Sequence, residues 1–381
     1  MLKSCYMFKL KDKDIIKCCL PVLENLFKKH KETYINLFFW ERDVDINNLN
    51  LRPLLDTGLI KKVGNKFRAN VFIFPLSGKF IVCDFLISHH RVKDGRYLRR
   101  KDDVWPIFAY ESPYIAKKAI VKKGDYVLDL ATGSGIIALF CAEKAKKVVG
   151  IDINPKAINY AQFNAILNNL EDKVEFRLGD LFEPVSAEKF DLIVWNGPTI
   201  ATPDLPNKYP IYCFGGADGL NFTRKFIDRA PNYLSPKGRM QWLDPCLGNE
   251  TSPKSLKIIK EIWGNSSLSV TYEQRVKPNP LYSLYENVGK FLLKPTKGLP
   301  RPLWIEPLTG KELSDWLDFL KRNNFTHIHA GMYRVYPSES FRITKTRPKK
   351  ILFPRMNYLP QEWHFLSFSR IKQLLRICEG Y

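Results

Sequence analysis

The amino-acid sequence predicts an α/β protein built on a largely parallel sheet, because four segments in the middle of the chain follow one pattern. The first, residues 127–139, is a short apolar run that passes through a Gly-x-Gly turn into an apolar-periodic helix. Three further short apolar runs end in polar residues within 148–152, 174–181 and 190–198. Such runs, alternating with helical patterns, are typical of buried parallel strands joined by helices.

The first turn is suited to a ligand that lies directly on the backbone. Gly133 and Gly135 have no Cβ atoms, so they leave room for close approach. A dinucleotide-binding fingerprint would have a third glycine at position 138, where this chain has Ala138, a variant that is sometimes tolerated. Asp129, at the end of the predicted strand, would repel a pyrophosphate and attract a cation. The turn therefore favours a cationic cofactor over a dinucleotide.

This turn resembles the first motif of the class I S-adenosyl-L-methionine (SAM) methyltransferases, Asp/Glu-x-x-x-Gly-x-Gly. The resemblance implies a Rossmann-like, seven-stranded class I methyltransferase sheet with SAM as its cofactor. It also implies that Asp152, at the tip of the second strand, binds both ribose hydroxyls, and that the loop after the third strand contacts the adenine. The predicted cofactor-binding residues are Tyr110, Glu111, Asp129, Ala131, Thr132, Gly133, Ser134, Gly135, Asp152, Ile153, Gly179, Asp180, Leu181 and Asn196.

Two later segments resemble the protein-release-factor glutamine methyltransferases and their relatives in the small-methyltransferase group. Residues 215–220 have the form Gly-Gly-x-Asp-Gly-Leu, and residues 231–238 have the form Pro-x-x-Leu-x-Pro-x-Gly. The resemblance covers about residues 105–275. It implies methyl transfer to a nitrogen at the tip of the fourth strand.

That tip departs from the family. Relatives that methylate planar nitrogens carry Asn-Pro-Pro-Tyr/Phe, where this chain has Asn196, Gly197, Pro198 and Thr199. The resemblance implies that the first three form the catalytic loop, in which the Asn196 side-chain oxygen and the Gly197 carbonyl accept the N–H bonds of the acceptor. Thr199 has no ring to stack on a flat acceptor, and Gly197 makes the loop less stiff than proline would. The departure disfavours a glutamine amide. The predicted substrate-contacting residues are Thr199, Tyr209, Tyr212 and Phe214.

The predicted function is SAM-dependent N-methylation of an amine, guanidine or amide nitrogen, on a small molecule or a protein side chain. Two alternatives stay open. One is a methyltransferase that acts on bases of ribosomal or transfer RNA, and the other is a catalytically silent protein that uses the same fold as a binding scaffold. The net charge of +21 over 381 residues favours anionic partners and keeps RNA among the possible partners.

The composition indicates a folded, cytoplasmic protein. The apolar fraction of 45% and the aromatic fraction of 13% are those of globular proteins. No apolar stretch is long enough for a membrane span, and lysines interrupt the N-terminus where a signal peptide needs an apolar core. The eight cysteines have no Cys-x-x-Cys spacing and are expected to be reduced. The histidines lack convincing ligand partners, so no metal is predicted, and the oligomeric state is left open.

Residues 1–104 are predicted to form an α+β, winged-helix-like module that contacts a substrate or a partner and ends in a charged connector. The predicted elements are helices at residues 12–30 and 49–58, a β-hairpin at 60–63 and 66–74, and a strand at 80–86. Helices followed by a hairpin favour such a module.

The methyltransferase domain is expected at residues 105–340, with an insertion or lid at about 276–324, where prolines are frequent. A helix is predicted at residues 316–321 and a last strand at residues 326–335. Residues 341–381 are rich in lysine and arginine, and they are expected to form a basic tail.

Overall fold

The computed structural model describes residues 7–85, 92–93, 96–97, 100–105, 111–275, 277–281, 305–306 and 308–347. Its helices are α1 Lys13–Lys29, α2 Lys31–Phe38, α3 Arg52–Asp56, α4 Glu111–Lys118, α5 Ile136–Cys141, α6 Pro155–Leu167, α7 Asn221–Arg229, α8 Lys254–Trp263 and α9 Gly310–Arg322. Its strands are β1 Ile60–Val63, β2 Lys66–Ala69, β3 Phe72–Leu76, β4 Lys79–Cys83, β5 Val92–Lys93, β6 Arg96–Tyr97, β7 Tyr126–Leu130, β8 Lys147–Asp152, β9 Val174–Leu178, β10 Phe190–Trp195, β11 Leu234–Gly248, β12 Leu268–Gln274, β13 Asn279–Pro280, β14 His327–Pro337 and β15 Arg342–Thr346. Within these ranges, no helix has the length and apolar character needed to cross a membrane.

A nine-stranded mixed sheet forms the centre of the protein. Its strand order is β15-β12-β14-β11-β10-β7-β8-β9, and β13 pairs with β14. The pairs from β9 through β11 are parallel, whereas β14 runs antiparallel to both β11 and β12. The four predicted strands are therefore confirmed as β7, β8, β9 and β10. With β11, β12 and β14 they supply the expected seven-stranded, Rossmann-like arrangement, to which β13 and β15 are added.

Strand β15 lies in the segment that was expected to be a basic tail. It pairs in parallel with β12, so the sheet extends past residue 340. Its side chains are exposed except that of Ile343, which packs against the buried core. Charged side chains on an edge strand hinder pairing with other chains. The charged residues at 342–346, which suggested a solvated tail, therefore belong to the edge strand of the sheet.

The central strands are buried on both faces. Val127 and Leu192 belong to a core shared with α5, α6 and the N-terminal helices, whereas Leu128 and Ile193 belong to a second core shared with α7 and α8. Because successive side chains point to opposite faces, a strand that is covered on both sides must be apolar throughout. Asp129 of β7 is fully buried and is the exception in its strand.

The N-terminal segment contains α1 and α3 where helices were predicted, but the second arm of the predicted hairpin is divided. Strands β1 and β2 pair as predicted. The chain then turns at Asn70, whose side chain donates to the Gly58 carbonyl and whose N–H donates to the Leu59 carbonyl. Residues 72–74 consequently begin a second hairpin, in which β3 pairs with β4. Strand β4 ends at Cys83, residue 86 lies outside the described ranges, and the winged-helix-like character stays a prediction.

The C-terminal part of the predicted lid packs against the loop that follows β10. Helix α9, longer than the helix predicted at residues 316–321, begins with a capping box formed by Thr309 and Glu312. Lys208 donates to both oxygens of Glu312 at 2.7 Å, and Trp316 Nε1 donates to the Ala217 carbonyl at 2.8 Å. These contacts fasten α9 across residues 208–217.

A buried ion pair joins the N-terminal segment to the sheet. Asp84, just after β4, accepts hydrogen bonds from Lys156 Nζ at 2.9 and 2.7 Å and from the Val104 N–H at 2.7 Å. Lys156 lies in the first turn of α6, and both charged side chains are buried. Buried charges require partners because the desolvation of an unpaired ion costs several kcal/mol.

We expect Lys156→Met to lower the free energy of unfolding by about 3–5 kcal/mol, because it leaves the Asp84 carboxylate buried without its counter-charge. Urea denaturation followed by circular dichroism measures the loss. Lys28→Met is the matched control, since it removes a pair with Glu24 at the protein surface, where ion pairs contribute little. Equal losses in the two variants would contradict the assignment.

Candidate active site

The carboxyl ends of parallel strands bring the main predicted site residues to one edge of the sheet. Asp129 lies in β7, Asp152 ends β8, and Asn196 follows β10 directly. Strand β7 pairs with β8 on one side and with β10 on the other. Because these strands are parallel, their carboxyl ends meet at the same edge. The two acids and the amide therefore surround the turn that follows β7.

That turn, residues 131–135, is called the cofactor loop below. Ala131, Gly133 and Gly135 have φ angles of 55°, 55° and 81°, in the left-handed region. A Cβ atom on Gly135 would lie 3.0 Å from the Cβ of Ala161 in α6, whereas a Cβ on Gly133 would have nothing within 4 Å. Gly135 thus allows the loop to pack closely on α6, and Gly133 faces open space in which a ligand can approach the backbone.

Asp129 is buried beneath the cofactor loop. Its Oδ2 accepts hydrogen bonds from Thr132 Oγ1 at 2.7 Å and from the Ala138 N–H at 3.0 Å. Its Oδ1 is buried and has no hydrogen-bond partner within the described ranges. Burial raises the pKa of Asp129 to about 7, against the opposing effect of these two hydrogen bonds. In its ionised form this carboxylate would attract a cationic group at the loop above it, such as the ammonium of the SAM methionine part.

Asp152 is held at the tip of β8 by backbone hydrogen bonds. Its Oδ2 accepts from the Gly133 N–H and its Oδ1 from the Asn154 N–H, both at 2.9 Å. Burial raises the pKa of Asp152, and these backbone donors oppose the rise. Each carboxylate oxygen has a second lone-pair site, so the fixed carboxylate can still accept from hydroxyl groups. This geometry fits the predicted contact with a ribose.

Two apolar side chains are exposed next to Asp152. Ile153 and Leu178, at the ends of the neighbouring strands β8 and β9, are 54% and 56% exposed. Gly179 and Asp180 follow directly, and Leu181 is buried. Apolar side chains that face solvent at the end of a strand fit a flat, apolar ligand surface such as adenine. Leu178 was not predicted from the sequence. An apolar residue directly before a polar loop could have indicated a contact with the ligand.

Asn196 is fixed by a residue of helix α4. Its Nδ2 donates to the Ser112 Oγ at 2.9 Å. Ser112 is the second residue of α4, directly after Glu111, and it is buried. The Asn196 Oδ1 has no hydrogen bond in the described part of the chain, so the amide presents its oxygen as an acceptor. Tyr110, predicted to lie over the cofactor, falls outside the described residues.

Gly197 is explained by the residue that precedes Asn196. A Cβ atom on Gly197 would lie 2.1 Å from Nε1 of Trp195, whose side chain is fully buried. The indole therefore occupies the space that a side chain at position 197 would need. Glycine is required there by packing, whereas the sequence suggested only that it makes the loop less stiff. Pro198 is half-buried, and Thr199 is buried.

The aromatic residues predicted to contact a substrate belong to a cluster that includes residues of α9. Tyr209 is fully buried and stacks on Phe214, with ring centroids 6.0 Å apart. Its ring has no accessible face for a substrate, which corrects its predicted role. Phe214 and Tyr212 are half-buried, and Tyr212 packs against Trp105 with centroids 4.7 Å apart. Of the three rings, these two retain accessible surface.

Comparison with known proteins identifies the family. Residues 121–286 match a family model described as a methyltransferase domain. Over 146 residues the chain is 40% identical to a protein of Methanocaldococcus jannaschii that is named as a protein N5-glutamine methyltransferase, covering 37% of this chain and 73% of the relative. The chain belongs to the SAM-dependent methyltransferases.

Two bacterial relatives match the same part of the methyltransferase. The release factor glutamine methyltransferase of Thermodesulfovibrio yellowstonii is 39% identical over 132 residues, which are 32% of this chain and 47% of the relative. The ribosomal protein uL3 glutamine methyltransferase of Bordetella pertussis is 34% identical over 120 residues, 29% of this chain and 40% of the relative. The chain thus spans about half the length or less of these two relatives, and the predicted cofactor, SAM, is that of the family.

One further buried acid of the methyltransferase was not singled out from the sequence. Asp244 lies on β11 two residues past Trp242, the partner of Trp195, so it stands just beyond the end of β10. Burial raises the pKa of Asp244 to about 7. The negative charge of Glu111 raises this pKa further, whereas the Ser255 hydroxyl lowers it. The sequence does not show that Asp244 belongs to the site, because only the pairing with β10 places it beside the Asn196 loop.

We expect Asp152→Ala to weaken SAM binding by about 2–3 kcal/mol, since hydrogen bonds to a charged group contribute about 1.5–3 kcal/mol each. Isothermal titration calorimetry measures the change. Asp172→Ala, which removes an exposed acid before β9, should leave the dissociation constant unchanged. An unchanged constant for Asp152→Ala would remove Asp152 from the cofactor site.

SAM affinity should also depend on pH through Asp129. With a pKa of about 7, this carboxyl gains a proton as the pH falls, and the neutral form no longer attracts a cationic ligand. Between pH 7 and pH 5.5 we expect affinity to fall about tenfold, since roughly half of the group is ionised at the higher pH and a few per cent at the lower. Calorimetry at the two values tests this. Asp129→Asn should bind more weakly and with a shallower pH dependence, and a profile as steep as that of wild type would assign the titration elsewhere.

Proposed function

We propose that this methyltransferase transfers the SAM methyl group to a side-chain nitrogen of a protein, with the carboxamide of a glutamine as the preferred acceptor. The observation that carries the proposal is the fixed amide of Asn196. Its Nδ2 is engaged by Ser112, which turns Oδ1 outward as a hydrogen-bond acceptor. A primary carboxamide offers two N–H donors, and Asn196 Oδ1 and the Gly197 carbonyl are the two acceptors proposed for them.

Bound SAM supplies an electrophilic methyl group on a sulfonium. The Asn196 loop accepts the acceptor's N–H bonds and directs the nitrogen lone pair along the line of displacement. Ser112 acts as a positioning residue, because it holds the Asn196 side chain in the required rotamer. Correct alignment of two reactants can lower a barrier by about 7–11 kcal/mol, so orientation alone can supply a large part of the catalysis.

The names of the relatives support a glutamine acceptor. The two bacterial relatives are named for glutamines of a release factor and of ribosomal protein uL3. The departure at Thr199 removes the ring that such enzymes place against the flat amide. Phe214 forms a β-bridge with Ile200, the residue after Thr199, and its ring is half-buried. We propose that Phe214 supplies the stacking surface from the opposite side of the loop.

The other predicted site residues and the predicted domain boundaries are part of the proposal, and Leu178 is added to them. Asp129, Asp152 and residues 131–135 would hold the methionine part and the ribose, and Ile153, Leu178 and residues 179–181 the adenine. Residues 1–104 would form a substrate- or partner-contacting module on the methyltransferase domain. The ion pair of Asp84 with Lys156 supports a fixed position for this module.

The test is incubation of the purified protein with methyl-labelled SAM and separate protein, RNA and metabolite fractions. Label in a protein, released as N-methylglutamine after digestion, is the expected result. Label in RNA would favour the second candidate, a base methyltransferase, which the net charge of +21 favours. A steep fall of acceptor affinity with salt would accompany that result, because binding to phosphates releases counterions.

Asn196→Ala should separate orientation from cofactor binding. We expect SAM affinity within a few-fold of wild type and turnover lower by about a hundredfold, since misplacing a reacting atom by about an ångström can cost that much. Single-turnover kinetics with the labelled acceptor measures the second quantity. Ser112→Ala, which frees the Asn196 rotamer but keeps its oxygen, should lose less turnover than Asn196→Ala. Wild-type rates for Asn196→Ala would place the active site elsewhere.

A further inference from the structure

Three asparagines, two in α6 and one at its C-cap, hold the backbone of the N-terminal segment through paired hydrogen bonds. Asn159, Asn164 and Asn168 each accept a backbone N–H through Oδ1 and donate through Nδ2 to the carbonyl of the same residue, at 2.7–3.0 Å. The residues they hold are Phe8, Val82 and Phe80, respectively. Asn164 and Asn168 are four residues apart and lie on the same side of the helix, whereas Asn159 lies on another side.

Two of these contacts complete the edge of strand β4. Phe80 and Val82 are alternate residues of β4, which pairs with β3 on its other side. Their N–H and C=O groups point away from β3, and an exposed strand edge of this kind needs partners when it is buried. The amides of Asn164 and Asn168 take the place of the next strand. Helix α6 is thereby hydrogen-bonded to the N-terminal hairpin rather than only packed on it.

Asn164 and Asn168 differ in the partner of their third hydrogen bond, which for Asn168 is the carbonyl of Asn164 itself, at 2.7 Å. The Asn164 Nδ2 also donates to the carbonyl of Ser134, in the cofactor loop, at 2.8 Å. Asn164 is fully buried, and with the two bonds to Val82 its oxygen and both amide hydrogens are engaged. A single side chain therefore bonds the N-terminal hairpin and the cofactor loop at the same time.

The other hydrogen bonds that hold the cofactor loop come from the sheet. The Thr132 N–H donates to the Ile151 carbonyl at 2.9 Å, and the Gly133 N–H donates to Asp152. Ala131 is a non-glycine residue in the left-handed region, a conformation that persists only where the surroundings impose it. The conformation of the loop thus depends on hydrogen bonds to residues outside it. Among these partners, Asn164 also bonds strand β4 of the N-terminal segment.

We propose that Asn164 is a positioning residue through which strand β4 of the N-terminal segment sets the conformation of the cofactor loop and hence the affinity for SAM. A displacement of β4 would move the Asn164 amide, and the Ser134 carbonyl would lose its donor. By reciprocity, SAM on the loop strengthens the contact between α6 and β4. The N-terminal segment is then a part of the cofactor site, in addition to any contact it makes with a partner.

The test compares Asn164→Ala with Asn168→Ala by calorimetry with SAM, below the unfolding temperature of both. Each variant removes one paired contact with β4, so the melting temperatures should fall by similar amounts. Only Asn164→Ala removes the bond to Ser134, and we expect its dissociation constant for SAM to rise about tenfold, a usual size for coupling between two sites. Asn168→Ala should stay within about twofold of wild type. Equal changes in the two constants would overturn the proposal.

A second measurement uses the wild-type protein and decides the matter if Asn164→Ala fails to fold. Amide hydrogen exchange is followed at Val82 and Phe80 with and without SAM. Exchange at Val82 should slow about threefold more than exchange at Phe80, because Val82 shares its asparagine with the cofactor loop. Equal slowing at the two amides would overturn the proposal. Both measurements use the cofactor without any acceptor, so their outcome is independent of the proposed glutamine substrate.

Discussion

The hydrogen bonds to the buried carboxylate of Asp129 hold the site together. One oxygen of this side chain accepts from Thr132 in the cofactor loop and from Ala138 in the first turn of α5. Strand, loop and helix are thereby fixed by a single group. The second oxygen has no hydrogen-bond partner among the described residues, and burial raises the pKa of the carboxyl to about 7. Burying this carboxylate is costly in folding, and the predicted binding of a cationic cofactor depends on its charge.

The loop of Asn196 and Gly197 is shaped mainly by packing. Trp195 is buried at the end of β10, and its ring fills the space that a side chain on Gly197 would need. The loop is therefore closed from below by an indole, where the related motif has a proline. Asn196 is held from the side by Ser112 of α4. The orientation of the Asn196 amide consequently depends on a helix that precedes the sheet in sequence and lies beside it in space.

The N-terminal segment is integrated with the methyltransferase sheet by polar groups. Asp84 and Lys156 form a buried ion pair at the start of α6, and asparagines farther along the helix complete the edge of β4. Bonds of this kind are directional, so they fix a register as well as an association. The segment thus reaches the cofactor loop through a defined contact, which a purely apolar interface would not provide.

The sequence by itself determined the parallel core, and it predicts the cofactor end of the site. Strands β7 to β10 are apolar because they are covered on both faces, and residues 131–135 combine glycines with an acid in a local pattern that sequence retains. Tertiary structure decided the features that join distant segments. The pairing of β11 with β10 brings Asp244 beside the Asn196 loop, the bond to Ser112 fixes Asn196, and packing with α9 buries Tyr209. Strand β15 was not predicted from the sequence, because an exposed edge strand and a solvated tail share the same charged composition. The local periodicity of a sequence indicates which face of a helix or strand is buried. It carries no information about which distant residues pack against that face.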